Sequence, residues 1–179
     1  MDASHNVAFY VPPVPGSRPN VDVVPCFEYR LFTNSAGTSF NAGSVVYGRD
    51  GKRIVNWPEL QLKNGIAKNN NTGYRYKFVV RVLKSVENEL CRLGLIEAVP
   101  SYFSECLIYN VPDSVLKTGD LDDAVRLSLA EVYTQLGGRS ATMWEPNGMK
   151  LLFGPQQKWT VDTGRELIAQ AWTYLGYGR

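Results

Sequence analysis

Histidine and metal-binding clusters are what this sequence has least of. Its single histidine, His5, stands near the start, and its three cysteines, Cys26, Cys91 and Cys106, are far apart with no Cys-x-x-Cys pair. A zinc site needs Cys and His at short spacings, and a Ser–His–Asp or Cys–His enzyme would depend on His5 alone, so both classes are set aside. An odd number of cysteines, each in an apolar segment, reads as free buried thiols in a reducing compartment. No apolar run approaches the ~20 residues that span a bilayer. No basic stretch followed by an apolar one opens the chain, so no signal peptide is expected and the cytoplasm is the expected location. Charge of one sign is scarce too: 19 Lys and Arg face 17 Asp and Glu, a net +2. That balance argues against bulk attraction to nucleic acid, and any anion site must come from local clustering.

What is present is material for a core. With 44% hydrophobic residues over 179 positions, the chain fits one domain, or one domain and part of another. The first third reads as strand: residues 7–11, which end at Pro12-Pro13, and then the β-branched and aromatic run 21–32. Residues 33–44, rich in Gly, Ser and Asn, read as a loop. Val45-Val46-Tyr47 and Ile54-Val55 flank Arg49-Asp50-Gly51-Lys52, a hairpin signal because Asp-Gly tolerates positive φ. Residues 56–73, polar and asparagine-rich, read as a connection.

From about residue 74 the period becomes helical. Val79, Leu83, Val86, Leu90 and Leu93 are spaced 4, 3, 4, 3, and Gly94 follows where a helix stops. Ser101 can cap a second helix that ends before Pro112. A third opens at Asp120 and runs to Gly137-Gly138, and a fourth covers about 162–175. Strands come first and helices follow, which implies α+β rather than alternating βαβ units.

Three features could carry chemistry. Asp22 lies in an apolar extended run, on the face opposite Val21 and Val23; a metal ion, an arginine or exposure at a strand edge would each satisfy its carboxylate. Lys77, Arg81 and Lys84 (i, i+4, i+7) fall within about 60° of one another on the helix face opposite the apolar stripe, as either a solvated face or a phosphate cradle. Ser101 opens a helix, where free N–H groups and the positive dipole end can hold an anion, or where the serine simply caps.

In chain order, Val21-Asp22-Val23-Val24-Pro25, Asn71-Thr72-Gly73-Tyr74-Arg75-Tyr76-Lys77 with Val80-Arg81-Val82-Leu83-Lys84, and Pro100-Ser101-Tyr102-Phe103-Ser104-Glu105-Cys106-Leu107 resemble the bacterial CD-NTases. These are polymerase-β-like nucleotidyltransferases related to oligoadenylate synthetase and cyclic GMP–AMP synthase. The end of the chain agrees, with Leu151-Leu152-Phe153, Gln157-Lys158-Trp159 and Ala171-Trp172-Thr173-Tyr174-Leu175-Gly176. The resemblance implies the last strands of a nucleotidyltransferase sheet over residues 1–60 and an oligoadenylate-synthetase-like helical domain over 61–179. It implies Asp22 as a metal-binding carboxylate of a two-Mg²⁺ site. It also implies Lys84 and Ser101 as contacts to nucleoside triphosphate, with Lys77 and Arg81 beside them. Intact members join nucleotides into cyclic or linear second messengers in defence against phage.

One departure is plain. The family carries a Gly-Ser turn and then an Asp-x-Asp pair on a strand, upstream of the third aspartate. Here Gly16-Ser17 and Gly43-Ser44 are followed by no such pair, and Asp120 with Asp122, the Asp-x-Asp in the sequence, opens a helix. The expectation is a C-terminal portion of such an enzyme, inactive alone. Two partners are open to it: a missing N-terminal catalytic half, or a second copy through the open sheet. The alternative is a non-catalytic nucleotide-binding regulator or one half of a split enzyme.

Overall fold

The computed structural model describes residues 8–17, 19–48, 50–155 and 157–178. His5, Val7 at the start of the expected first strand and Arg49 at the expected turn lie outside them. Two compact units divide the chain, one ending at Glu59 and one beginning at Leu60.

In the strand unit, β1 (Phe9–Val11) pairs antiparallel with β2 (Val21–Val23), with Tyr10 opposite Asp22. A separate antiparallel sheet holds β3 (Phe27–Phe32), β4 (Phe40–Tyr47) and β5 (Arg53–Asn56), with β4 central. The run 21–32, expected as one strand, is therefore two strands in two sheets. The break falls at Val24-Pro25-Cys26, where Pro25 has no N–H to offer a ladder. Cys26 at that seam is exposed, not buried as its apolar neighbours implied.

The expected loop 33–44 is shorter. It ends at Ser39, where Asn34 accepts the N–H groups of Thr38 and Ser39 at 3.1 and 3.3 Å. The rest is strand because Gly43 lets the chain pass the Trp57 indole. A Cβ there would lie 2.9 Å from the ring and 2.6 Å from the Asn56 carbonyl. The Asp-Gly hairpin forms between β4 and β5, with Gly51 at φ 74° and the Gly48 N–H donating to the Lys52 carbonyl at 2.9 Å.

The helical unit corrects one more expectation. Residues 56–73 are no mere connection, because Pro58–Asn71 form helix α1, with Pro58 at its first position, Glu59 in the first turn and Lys68 in the last. The helix lays polar residues on the unit. Asn64 donates to the Pro146 carbonyl at 2.8 Å, and the Lys68 ammonium donates to the Val111 carbonyl at 2.7 Å and to Asp113 at 2.8 Å. Its apolar pair, Leu62 and Ile66, is turned outward, 65% and 45% exposed. A helix with that inversion shows no apolar stripe to a search for periodicity.

Helix α2 (Arg75–Arg92) follows after Gly73, and its first N–H groups are satisfied from upstream. Thr72 Oγ1 accepts from Tyr76 N–H at 3.2 Å, and Asn69 Oδ1 accepts from Lys77 N–H at 3.1 Å. Val79, Leu83, Val86 and Leu90 enter the core as the spacing predicts, joined by Tyr76, whereas Leu93, the last position of the stripe, is 47% exposed beside the Gly94 stop. The stop at Gly94 holds as well: at φ 69°, its N–H reaches the Cys91 carbonyl while Leu95 N–H reaches Leu90.

Around α2 pack α3 (Ser101–Tyr109), the short α4 (Asp113–Leu116), α5 (Leu121–Gly138) and α6 (Val161–Tyr174). Phe103 is fully buried and stacks on Trp159 at 5.0 Å between ring centroids. Burial of each such side chain stabilises by about 1.5–3 kcal/mol. The Asp-x-Asp pair serves the fold: Asp120 caps α5 by accepting Asp123 N–H at 3.0 Å, and Asp122 accepts the Tyr177 hydroxyl at 2.6 Å. Among the described residues no helix is long and apolar enough to cross a membrane.

The two units differ in what they hide. The helical core is closed, whereas the strand unit buries the apolar side chains Val45 and Trp57 and leaves Phe9 and Phe27 at 68% and 70% exposure. Val23, Phe32, Tyr47 and Ile54 are exposed as well. Such a surface recruits another apolar surface or an added strand. The purified chain is expected to brighten a dye that reports exposed apolar surface, and its sedimentation coefficient should rise with concentration. A monomer at every concentration with no dye response contradicts that expectation.

Candidate functional site

The basic row of α2 divides into two parts. Lys77 and Arg81 are exposed, and the Arg81 guanidinium lies 5.9 Å from the centre of the Phe78 ring. Lys84 is only half-exposed. Its charge acts on the Glu87 carboxyl of α2 and on the Cys106 thiol of α3.

Helices α2 and α3 run antiparallel. Tyr76, near the start of α2, meets Tyr109, at the end of α3, with ring centroids 6.2 Å apart. Further along α2, Glu87 accepts a 2.8 Å hydrogen bond from the Ser104 hydroxyl. Glu87 is 3% exposed and Ser104 fully buried. Burial pushes the Glu87 carboxyl above its ordinary value, and the Ser104 hydroxyl and Lys84 ammonium pull it part of the way back.

Ser101 is the first residue of α3, not its cap. Pro100 takes the cap position with extended backbone (φ −62°, ψ 131°), and its carbonyl accepts Phe103 N–H at 2.7 Å. A serine caps only from an extended backbone that lets its oxygen fold back over the first turn, and Ser101 is already helical. It is exposed, at the end of a helix whose next residue is firmly held.

That next residue is Tyr102, whose hydroxyl donates to buried Glu145 at 3.1 Å. Glu145 also accepts from Asn147 and Gln157, each at 2.6 Å. Burial pushes the Tyr102 hydroxyl far above its ordinary value, so it stays protonated as the donor. Neither this knot nor Glu87 was singled out from the sequence. Glu87 could have been found as an acid between the core positions Val86 and Leu90; the knot joins residues too distant in sequence to show.

In the strand unit Asp22 is an exposed residue of β2. Among the described residues no group of three or more His, Cys, Asp or Glu side chains gathers where it could hold a metal ion. The described residues by themselves do not fit a two-metal site.

Comparison with known proteins gives this geometry a setting. Residues 63–176 match the family model of the cGAS/DncV-like nucleotidyltransferase C-terminal helical domain. A cyclic dipyrimidine nucleotide synthase CdnE from Legionella pneumophila is 35% identical over 160 residues, which is 88% of this chain and 54% of that protein. A solved structure of the Elizabethkingia meningoseptica CdnE cyclic dinucleotide synthase, with GTP and Apcpp, superposes with a TM-score of 0.86 at 31% identity, over 96% of this chain and 63% of that one. The Rhodothermus marinus CdnE c-UMP-AMP synthase, with Apcpp and Upnpp, gives 0.84 at 28% identity, over 98% and 60%. The chain thus spans about half the length of the curated relatives it matches.

The Glu87 carboxyl makes stability depend on pH in a stated direction. Its value is raised in the folded chain, so the folded state binds more protons than the unfolded one. Stability falls as pH rises from about the ordinary carboxylate value, 4.5, through the raised value. Glu87→Gln lacks this loss while keeping an acceptor oxygen for Ser104. Melting curves from pH 4 to 8 should show the variant gaining on wild type as pH rises, by roughly 1.4 kcal/mol for each unit of elevation. Parallel profiles contradict the assignment.

Proposed function

The chain belongs to the cGAS/DncV-like nucleotidyltransferases through their C-terminal helical domain, and we propose that it supplies the phosphate-binding side of an enzyme that joins nucleoside triphosphates into cyclic or linear second messengers. The observation that carries the reading is the placement of Lys84 and Ser101 on adjacent antiparallel helices, inside the matched segment. Lys84 brings an ammonium whose charge reaches the Cys106 thiol of α3, and Ser101 brings a hydroxyl at a helix start. Together they neutralise the charge that builds on the pyrophosphate leaving group. Lys77 and Arg81, exposed further along α2, attract the triphosphate to that face.

The fold positions these groups at different levels. The Glu87–Ser104 hydrogen bond marks where α2 and α3 pass. Lys84 stands one turn before Glu87 and Ser101 one turn before Ser104, so in antiparallel helices they lie on opposite sides of that mark, roughly 9 Å apart along the axis. A triphosphate spans such a gap; a single phosphate does not.

Catalysis by this family also needs metal, which supplies charge stabilisation at the reacting phosphorus and activation of the attacking hydroxyl. Asp22 is the carboxylate we assign to that site, in the domain formed by residues 1–60. The Gly-Ser turn and Asp-x-Asp pair that complete it would come from polypeptide outside these 179 residues, in the same chain or in a partner. The exposed apolar side chains of the strands favour the partnered form over a free-standing regulator. The cytoplasm, where nucleoside triphosphates are plentiful, and defence against phage are the setting proposed with it. The bases are a separate matter, since the names of the Legionella and Elizabethkingia relatives specify pyrimidine and purine products respectively. Base choice in this chain is therefore assigned to side chains other than the phosphate-facing ones.

The purified chain with ATP or GTP and Mg²⁺ or Mn²⁺ is expected to release no pyrophosphate. Sustained release that Asp22→Ala abolishes contradicts the incomplete metal site. Nucleoside triphosphate should nevertheless shift the backbone amide signals of Lys84 and residues 101–102. Loss of the charge in Lys84→Ala should weaken that binding by about tenfold, the value of one charge-assisted contact. Shifts confined to other faces of the helical unit count against the phosphate site.

A further inference from the structure

We propose that Glu87 is a positioning residue of the phosphate site: its buried carboxyl, held by Ser104, sets the level at which α2 and α3 pass, and so the spacing of Lys84 and Ser101. This rests on the phosphate-site reading above and adds to it a residue that touches no substrate.

Packing alone does not account for Glu87. It stands among the core positions Leu83, Val86 and Leu90, and is itself 3% exposed. A leucine or methionine would fill that volume without the penalty of drawing a carboxyl out of water, and such replacements are often neutral or stabilising. What an apolar side chain lacks is direction. Two helices in apolar contact can slide by an ångström at little cost, whereas a 2.8 Å hydrogen bond between two buried groups exists at one level only.

Ser104 has no other evident task. It is fully buried, and its hydroxyl donates to Glu87. The placement of the pair gives the bond its meaning. Lys84 and Glu87 share a face of α2 at i, i+3, and Ser101 and Ser104 share a face of α3 at the same spacing. The strut lies midway between the two phosphate-facing residues, so slippage of either helix changes their separation directly.

Charge adds a second restraint. The Glu87 carboxyl lies near enough to Lys84 to be stabilised by it. The same attraction draws the ammonium toward Glu87, one turn further along α2.

The test compares ligands that differ in length. Inorganic tripolyphosphate can meet Lys84 and Ser101 together, whereas orthophosphate meets one of them. Amide-resolved titrations of the whole chain should show Glu87→Leu and Ser104→Ala weakening tripolyphosphate about tenfold with orthophosphate unchanged, the size expected when a bridging geometry is lost. Glu87→Gln, which keeps an acceptor oxygen, should retain most of the affinity. In the Glu87→Leu background, Lys84→Ala should cost clearly less than in wild type, the signature of coupling.

The failures are distinguishable. Tripolyphosphate binding indifferent to Lys84→Ala removes the phosphate site itself, and this inference with it. Binding that falls with Lys84→Ala but not with Glu87→Leu or Ser104→Ala leaves the site standing and overturns the positioning role. An equal fall for both ligands makes Glu87 a residue of general stability and also overturns it. Should Glu87→Leu fail to fold, Ser104→Ala decides alone, because it deletes one hydroxyl and leaves the core volume nearly intact.

Discussion

Helix α2 has to meet two demands on one surface, and the helical unit is arranged around that constraint. Its apolar residues must leave water, which draws α3, α5 and α6 over it. A carboxyl in the midst of those residues must keep a hydrogen bond, which only Ser104 supplies among the described contacts. Apolar burial provides most of the free energy but tolerates many arrangements. The polar bond contributes little net energy and tolerates one. Specificity of docking therefore comes from the smaller term. The same division recurs where Asn110 accepts the Trp144 N–H and donates to the Trp144 carbonyl, tying the end of α3 to the chain beyond α5.

Legibility in the sequence followed the same division. Period and turn chemistry report apolar burial and local backbone, so α2, the Asp120 cap and the Asp50-Gly51 hairpin could be read directly. Helix α1 could not, because its inward face is Asn64, Lys68 and Asn69, and asparagine in a run signals loop before it signals a docked helix. The split at Pro25 was readable in principle, since proline in a strand argues for an edge or an end. The order of Lys84 and Ser101 along the chain was legible as a family pattern. Their spacing was not, since it depends on a contact between residues 17 apart in the chain.

Ser101 illustrates how the local explanation of a residue changes once its backbone is seen. Once Pro100 holds the cap position, the serine hydroxyl is not used by the backbone of its own helix. Tyr102, pinned to Glu145, fixes the orientation of that first turn from the other side. A hydroxyl released from capping and held on a rigid turn suits recognition of a ligand better than one that the helix already uses.

The outward apolar pair of α1 bears on how the molecule breathes. A helix held by a few directional bonds, with little apolar area beneath it, has a small free energy of local opening compared with the core it rests on. Its amides should exchange with solvent long before those of α2, in a cooperative unit that ends at the Gly73 turn. When α1 lifts, the bonds from Thr72 and Asn69 to the first N–H groups of α2 go with it, so the first turn of α2 frays at the same step. Lys77 sits in that turn. Any surface that covers Leu62 and Ile66 thus also quiets the end of α2 where the basic row begins, by mass action rather than by contact.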